Sequence, residues 1–89
     1  METELNTTLD NIAGKDGVKG VLIADTAGLC LGSRGIASPE SAPFITSVAS
    51  ASRSLQQEPS ETDPTITIDY GNSKVIIRNH TGFALAVYF

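Results

Sequence analysis

The sequence predicts an α/β fold of the α+β type: a five-stranded antiparallel sheet flanked by helices, in the order α-β-β-α-β-β-β. Three observations predict it. Residues 17–35, GVKGVLIADTAGLCLGSRG, read as two short apolar strands joined by a tight polar turn. Residues 38–57 carry a helical apolar pattern. Residues 65–89 hold three more strand patterns, separated by Gly-containing turns.

The elements follow in order. Residues 1–14 form a short helix, with Leu5, Leu9 and Ile12 spaced by four and three. Thr3 or Asn6 can cap it, and Gly14 stops it. In the first strand, Val21-Leu22-Ile23-Ala24 is apolar on both pleat faces. Such a strand needs cover on both sides, so the hairpin is expected in the sheet interior and not at its rim. Asp25-Thr26-Ala27-Gly28 is the turn, with Gly28 able to take positive φ. Leu29-Cys30-Leu31 then gives way to Gly32, Ser33 and Arg34.

Ser38, Pro39 and Glu40 read as N-cap, first position and dipole-complementing acid of the second helix. Pro43 would remove a donor past the first turn, so the regular helix is expected to begin near Ala42. Phe44, Ile45, Val48, Ala49, Ala51 and Leu55 give one broad stripe, and the helix should end near Gln57, before Pro59. Residues 58–64, EPSETDP, form an acidic loop. Thr65 to Tyr70 alternates strictly, as a strand with one covered face does. Lys74 to Asn79 is the next strand, and His80-Thr81-Gly82 turns the chain into Phe83–Phe89, which is apolar on both faces and therefore central.

Composition bounds the function. With 89 residues the chain has room for one domain, residues 1–89, and a domain this small is marginal alone. A net charge of −4 argues against nucleic acid and anionic lipid as direct ligands. No run of about 18 apolar residues is present. The N-terminus lacks a secretory pattern, Glu2 stands where myristoylation needs Gly, and no prenylation box ends the chain. Membrane association is thus expected through a partner, without direct insertion. One cysteine excludes an intramolecular disulfide.

Candidate chemistry is sparse. His80, the one histidine, falls in a turn and reads as solvated; Cys30, between two leucines, reads as a small hydrophobe. A Cys30–His80 dyad lacks an orienting third group. Asp25 is expected to bond turn amides. Gly28, Gly32 and Gly35 do not form a phosphate loop, since no GK[ST] follows. Arg34 reads as a solvated hairpin residue or an anchor for a partner carboxylate, and Glu58–Asp63 as a solvated loop or a contact for a basic surface. No catalytic, cofactor-binding or metal-ligating set is expected. The second helix is the better candidate, because its many Ala and Ser residues permit close approach of a partner helix. The strand Thr65–Tyr70, following a long loop, is expected at the sheet rim, where unpaired backbone invites strand pairing.

The element order and the pattern GVxGVLxxDxxGLxLGxRG over residues 17–35 resemble the roadblock (dynein light chain 7) superfamily. Within it the chain is most similar to the small members of the lysosomal Ragulator scaffold. Asp25, Gly28, Leu29, Leu31, Gly32, Arg34, Gly35 and Ser38 carry the likeness, which weakens to length and element order elsewhere. Larger members have a third, C-terminal helix, which this chain lacks. The resemblance implies dimers joined through the second helix and third strand into one continuous sheet. The interface would hold Phe44, Val48, Ser52, Thr65, Ile66, Thr67, Ile68, Asp69 and Tyr70. It further implies a heterodimer with another small roadblock-fold subunit, held by a lipidated scaffold subunit on the cytosolic face of the lysosome or vacuole. The assembly would recruit Rag-type GTPases and support amino-acid signalling to TORC1. The alternatives are a homodimeric regulator of dynein or a small GTPase, a small-molecule-sensing sandwich and, most weakly, a cysteine enzyme.

Overall fold

A computed structural model describes residues 2–58 and 63–89. The elements are α1 (Glu2–Ala13), β1 (Gly20–Asp25), β2 (Cys30–Gly35), α2 (Ala42–Arg53), β3 (Thr65–Asp69), β4 (Lys74–His80) and β5 (Phe83–Tyr88), with one 3-10 turn at Pro39–Ser41. All strand pairs are antiparallel, and the sheet runs β2-β1-β5-β4-β3. β1 and β5 lie inside it, as their two-faced apolar runs predict. β3 is one rim, as expected; the other is β2, so the first hairpin is not interior as a whole, because only β1 is covered on both faces while β2 is at most half-buried.

Alternation along β1 divides the core. Leu22 and Ala24 face α2 and pack with Ala84, Ala86, Val75 and Ile77 beneath Ala42, Ile45 and Ala49. Val21 and Ile23 face α1 and pack beneath Leu9. Gly32 sets how closely α1 approaches, because a Cβ there would stand 2.4 Å from Leu9 Cδ1. At Gly28 the turn takes a φ of 87°, the left-handed conformation that glycine admits freely.

Several boundaries depart from expectation. α1 begins at Glu2, so Thr3 and Asn6 lie within the helix and do not cap it. Asn6 instead accepts a bond from Arg34 Nη2 at 3.2 Å. Ser38 is the N-cap of the 3-10 turn, but its hydroxyl bonds the Glu40 carboxylate, holding the Glu40 pKa below its usual value, and no amide. Pro39 therefore starts a short 3-10 turn, and Pro43 falls in the first turn of α2, where no helical donor is lost. α2 ends at Arg53, where the Ser54 amide bends to Ala51 and Ser52 carbonyls, short of the expected Gln57. His80 closes β4 and is not part of the turn. The strand after the acidic loop stops at Asp69, leaving Tyr70 in the hairpin. Residues 59–62 of that loop lie outside the described residues. β5 is central, yet Phe83, Leu85 and Val87 are only half-buried, because α1 packs chiefly on β1 and β2.

Candidate assembly interface

The broad apolar stripe of the second helix proves to be two stripes. Ala42, Ile45 and Ala49 face the sheet and are buried. Phe44, Val48 and Ala51 lie on the adjoining outer side, at spacings of four and three, and Leu55 follows in the turn after the helix. Phe44 is 71% exposed and Leu55 77%. The inner stripe is buried in the core; of the outer one, Val48 is half-buried against that core, while Phe44 and Ala51 stay exposed. Ser52 belongs with the inner side: its hydroxyl donates to the Ala49 carbonyl over 2.7 Å and accepts from Asn79 Nδ2 at 3.3 Å. Asn79 also donates to the Ala49 carbonyl, at 3.1 Å, tying the end of α2 to β4. The third-turn position of the outer stripe therefore falls to Ala51.

Beside this stripe lies the β3 rim. Ile66 and Ile68 pack on the α2-side core, while Thr65, Thr67 and Asp69 point to the other face. A groove of about 370 Å³ runs between the two elements, with Phe44 and Val48 on one wall and Ile68 and Tyr70 on the other. Tyr70 is 68% exposed. The groove thus joins Phe44 and Val48 of α2 to Ile68 and Tyr70 at the β3 side, with Ser41, Ser73 and Lys74 also in its lining.

The backbone phase of β3 is fixed by its hairpin. The Tyr70 amide donates to the Ser73 carbonyl at 2.8 Å. Bonded pairs alternate along an antiparallel ladder. With Ile68 opposite Val75 and Ile66 opposite Ile77, those residues bond β4. The N–H and C=O groups of Thr65, Thr67 and Asp69 consequently point out of the sheet. Among the described residues only β4 pairs with β3, so this rim, β-branched from Thr65 to Ile68, presents the arrangement that accepts another strand.

The opposite rim differs. The β1–β2 register shifts between Ile23 and Ala24, a bulge that interrupts β2. Further along this rim, Arg34 reaches α1: Nη1 donates to the Ser33 carbonyl at 2.9 Å and Nε to Asp10 Oδ1 at 2.8 Å. These bonds assign Arg34 to holding α1 on β2. Nothing in the local sequence signals it, because Asp10 lies 24 residues away.

The remaining candidates fall into structural places. Asp25 Oδ1 accepts from the amides of Ala27 and Leu29, both at 2.9 Å, as expected for a turn aspartate. Cys30 is half-buried against the α2-side core. His80 stacks on Phe83, ring centroids 4.8 Å apart. Cys30, Ala24, Ala84 and Asn79 form one row across four strands, so Cys30 and Asn79 stand about 14 Å apart at ordinary strand spacing. His80 is one residue further, on the opposite face, so the two groups of the conceivable dyad do not meet. Among the described residues no group of three or more His, Cys, Asp or Glu could hold a metal ion. No described helix is long and apolar enough to cross a membrane.

A five-stranded antiparallel sheet with α2 on one face, α1 on the other and an open third-strand rim is a roadblock-type fold. Solved structures agree. Myxococcus xanthus MglB superposes with a TM-score of 0.84, covering 99% of this chain and 71% of MglB at 19% identity. A Roadblock/LC7 domain from Streptomyces avermitilis gives 0.68, covering 90% of this chain and 72% of that one at 16% identity. At such identities the likeness is one of fold. Sequence goes further: residues 1–88 match the family described as Ragulator complex protein LAMTOR5. A Ragulator complex protein LAMTOR5 homolog from Nematostella vectensis is 31% identical over 88 residues, 99% of this chain and 96% of its own length. The chain belongs to the LAMTOR5 family of Ragulator complex proteins.

Proposed function

We propose that the chain works as one domain, residues 1–89, and as a non-enzymatic adaptor subunit of a Ragulator-like complex. It pairs with another small roadblock-fold subunit through the outer stripe of α2 and the rim of β3. The observation that carries this reading is the second, largely exposed apolar stripe of α2 lying beside outward-facing backbone of β3. Two such units placed rim to rim continue one sheet, and their α2 helices meet along Phe44, Val48 and Ala51. The interface so proposed holds Phe44, Val48, Ala51 and Leu55 with Thr65, Ile66, Thr67, Ile68, Asp69 and Tyr70.

The wider role rests on family membership. In this reading the dimer is held by a lipidated scaffold subunit at the cytosolic face of the lysosome or vacuole. There it recruits Rag-type GTPases and supports amino-acid signalling to TORC1. The chain's contribution is geometric: apolar burial and strand pairing, with no bond made or broken. Co-expression with a small roadblock-fold subunit tests it. A stable 1:1 complex on size-exclusion chromatography is expected, with a raised melting temperature by mass action. A chain that stays monomeric, with its melting temperature unmoved by any such subunit, contradicts it.

A further inference from the structure

An open sheet has two rims, and a chain that joined others through both would build an array without end. The β3 rim turns Thr65, Thr67 and Asp69 outward in regular register. β2 is the other rim of the same sheet, and its backbone can be followed residue by residue.

The Ile36 amide donates to the Lys19 carbonyl at 3.0 Å, which fixes the phase of this hairpin. Counting back by twos, Arg34 and Gly32 bond β1 opposite Val21 and Ile23. The backbone groups of Ser33 and Gly35 therefore face away from β1. Gly35 has a φ of 65°, outside the range of extended strands, so the regular rim stops before it. At the other end the bulge takes Leu31 out of register. Between the two interruptions, Ser33 is left to offer an outward N–H and C=O.

That carbonyl is already occupied. Arg34 Nη1 donates to it at 2.9 Å. The guanidinium is held in place from α1: Nε donates to Asp10 Oδ1 at 2.8 Å and Nη2 to Asn6 Oδ1 at 3.2 Å. Three nitrogens of one planar fork thus span helix and rim, a geometry that a lysine ammonium cannot reproduce. A strand approaching β2 would have to displace the guanidinium before it could donate to Ser33.

We propose that Arg34 closes the β2 rim, so that the chain joins another subunit through β3 alone and assembly stops at a pair. Arg34 then determines the specificity of assembly as well as the seat of α1. The proposal rests on the reading that β3 accepts a partner strand. The contact it excludes is β2 of one copy against β3 of the next, a head-to-tail addition with no closure.

Light scattering on the full-length chain over rising concentration tests it, with circular dichroism reporting that each variant folds. The native chain should not exceed the mass of a dimer. Arg34→Ala frees the Ser33 carbonyl and should grow past a dimer as concentration rises. Arg34→Lys keeps a charge toward Asp10 but not the fork; it should grow likewise, and it serves where alanine unseats α1. Asp10→Asn weakens the hold on α1 but leaves Nη1 on the Ser33 carbonyl, and should behave as the native chain does. Arg34→Ala/Thr67→Pro, with the β3 rim spoiled as well, should not grow. Thr67→Pro alone, assayed with a small roadblock-fold subunit, separates the two readings. If it still pairs, the β3 reading fails whatever Arg34 does; if it does not pair and the Arg34 variants do not grow, only the role of Arg34 falls. The proposal is overturned by folded Arg34 variants that stay at or below dimer mass, by growth of the native chain, by an Asp10→Asn variant that grows as Arg34→Ala does, or by growth that persists in the double variant.

Discussion

The amide of Tyr70 bonds the carbonyl of Ser73 over 2.8 Å, and this one contact sets which edge of β3 is free. Counting back by twos, Ile68 and Ile66 are committed to β4, and Asp69, Thr67 and Thr65 face outward. Side-chain and backbone roles separate along the strand: the isoleucines serve the core and the inner ladder, the alternate residues the rim.

Proline substitution tests this phase. Thr67→Pro removes an outward donor and should abolish pairing with a partner subunit while leaving most of the isolated fold intact. Ile68→Pro removes a donor used within the sheet and should cost the fold itself about 3 kcal/mol or more. Urea titration measures the fold, and size-exclusion chromatography with the partner measures pairing. The reverse pattern would mean that the phase of β3 is wrong.

The outer stripe of α2 makes a second prediction. Phe44→Lys should change the stability of the isolated chain by no more than about 0.5 kcal/mol, as exposed substitutions do. In the presence of partner it should prevent dimer formation, because a charge would be buried at the contact. Light scattering that found the dimer intact would remove α2 from the interface.

The two layers of core should respond unequally to truncation. Leu22 is fully buried between β2 and β5 under α2, so Leu22→Ala should cost about 2–5 kcal/mol. Leu85 is only half-buried, and Leu85→Ala should cost clearly less. Denaturant midpoints of the two variants, compared at equal m-value, give the ranking.

Gly32→Ala should destabilise by about 1–3 kcal/mol, since the new methyl overlaps Leu9 and α1 must move. In Gly32→Ala/Leu9→Ala the clash is gone, so the double variant should show less than the sum of the two single costs. Strict additivity in chemical denaturation would show that Leu9 does not sit over Gly32.

The sheet was legible in the sequence because its signals are local. Val21–Ala24 and Phe83–Tyr88 advertise two covered faces, and Thr65–Asp69 advertises one. Asp25 and Gly28 mark the hairpin by turn chemistry alone. What the sequence hides is contact between distant elements. The bonds from Arg34 to Asp10 and Asn6 cannot be read from spacing. Nor can the division of the α2 stripe, since Phe44 and Ile45 are equally apolar and only the docking angle of the helix exposes one and buries the other. The half-burial of Leu85 has the same cause: its side chain is as apolar as that of Leu22, but α1 covers a different part of the sheet. Ser52 illustrates the limit within the interface itself, because its place beside Asn79 depends on where β4 passes.

Residue-resolved amide hydrogen exchange on the chain, free and bound to a small roadblock-fold subunit, tests the central claim most directly. Free, the Ile66 and Ile68 amides should already be protected by β4, and the Thr65, Thr67 and Asp69 amides should exchange freely. On binding, Thr67 and Asp69 should slow by about tenfold or more, and Ile66 and Ile68 should follow only the general gain in stability. A complex that forms while the Thr67 and Asp69 amides keep their free exchange rates would contradict assembly through the β3 rim.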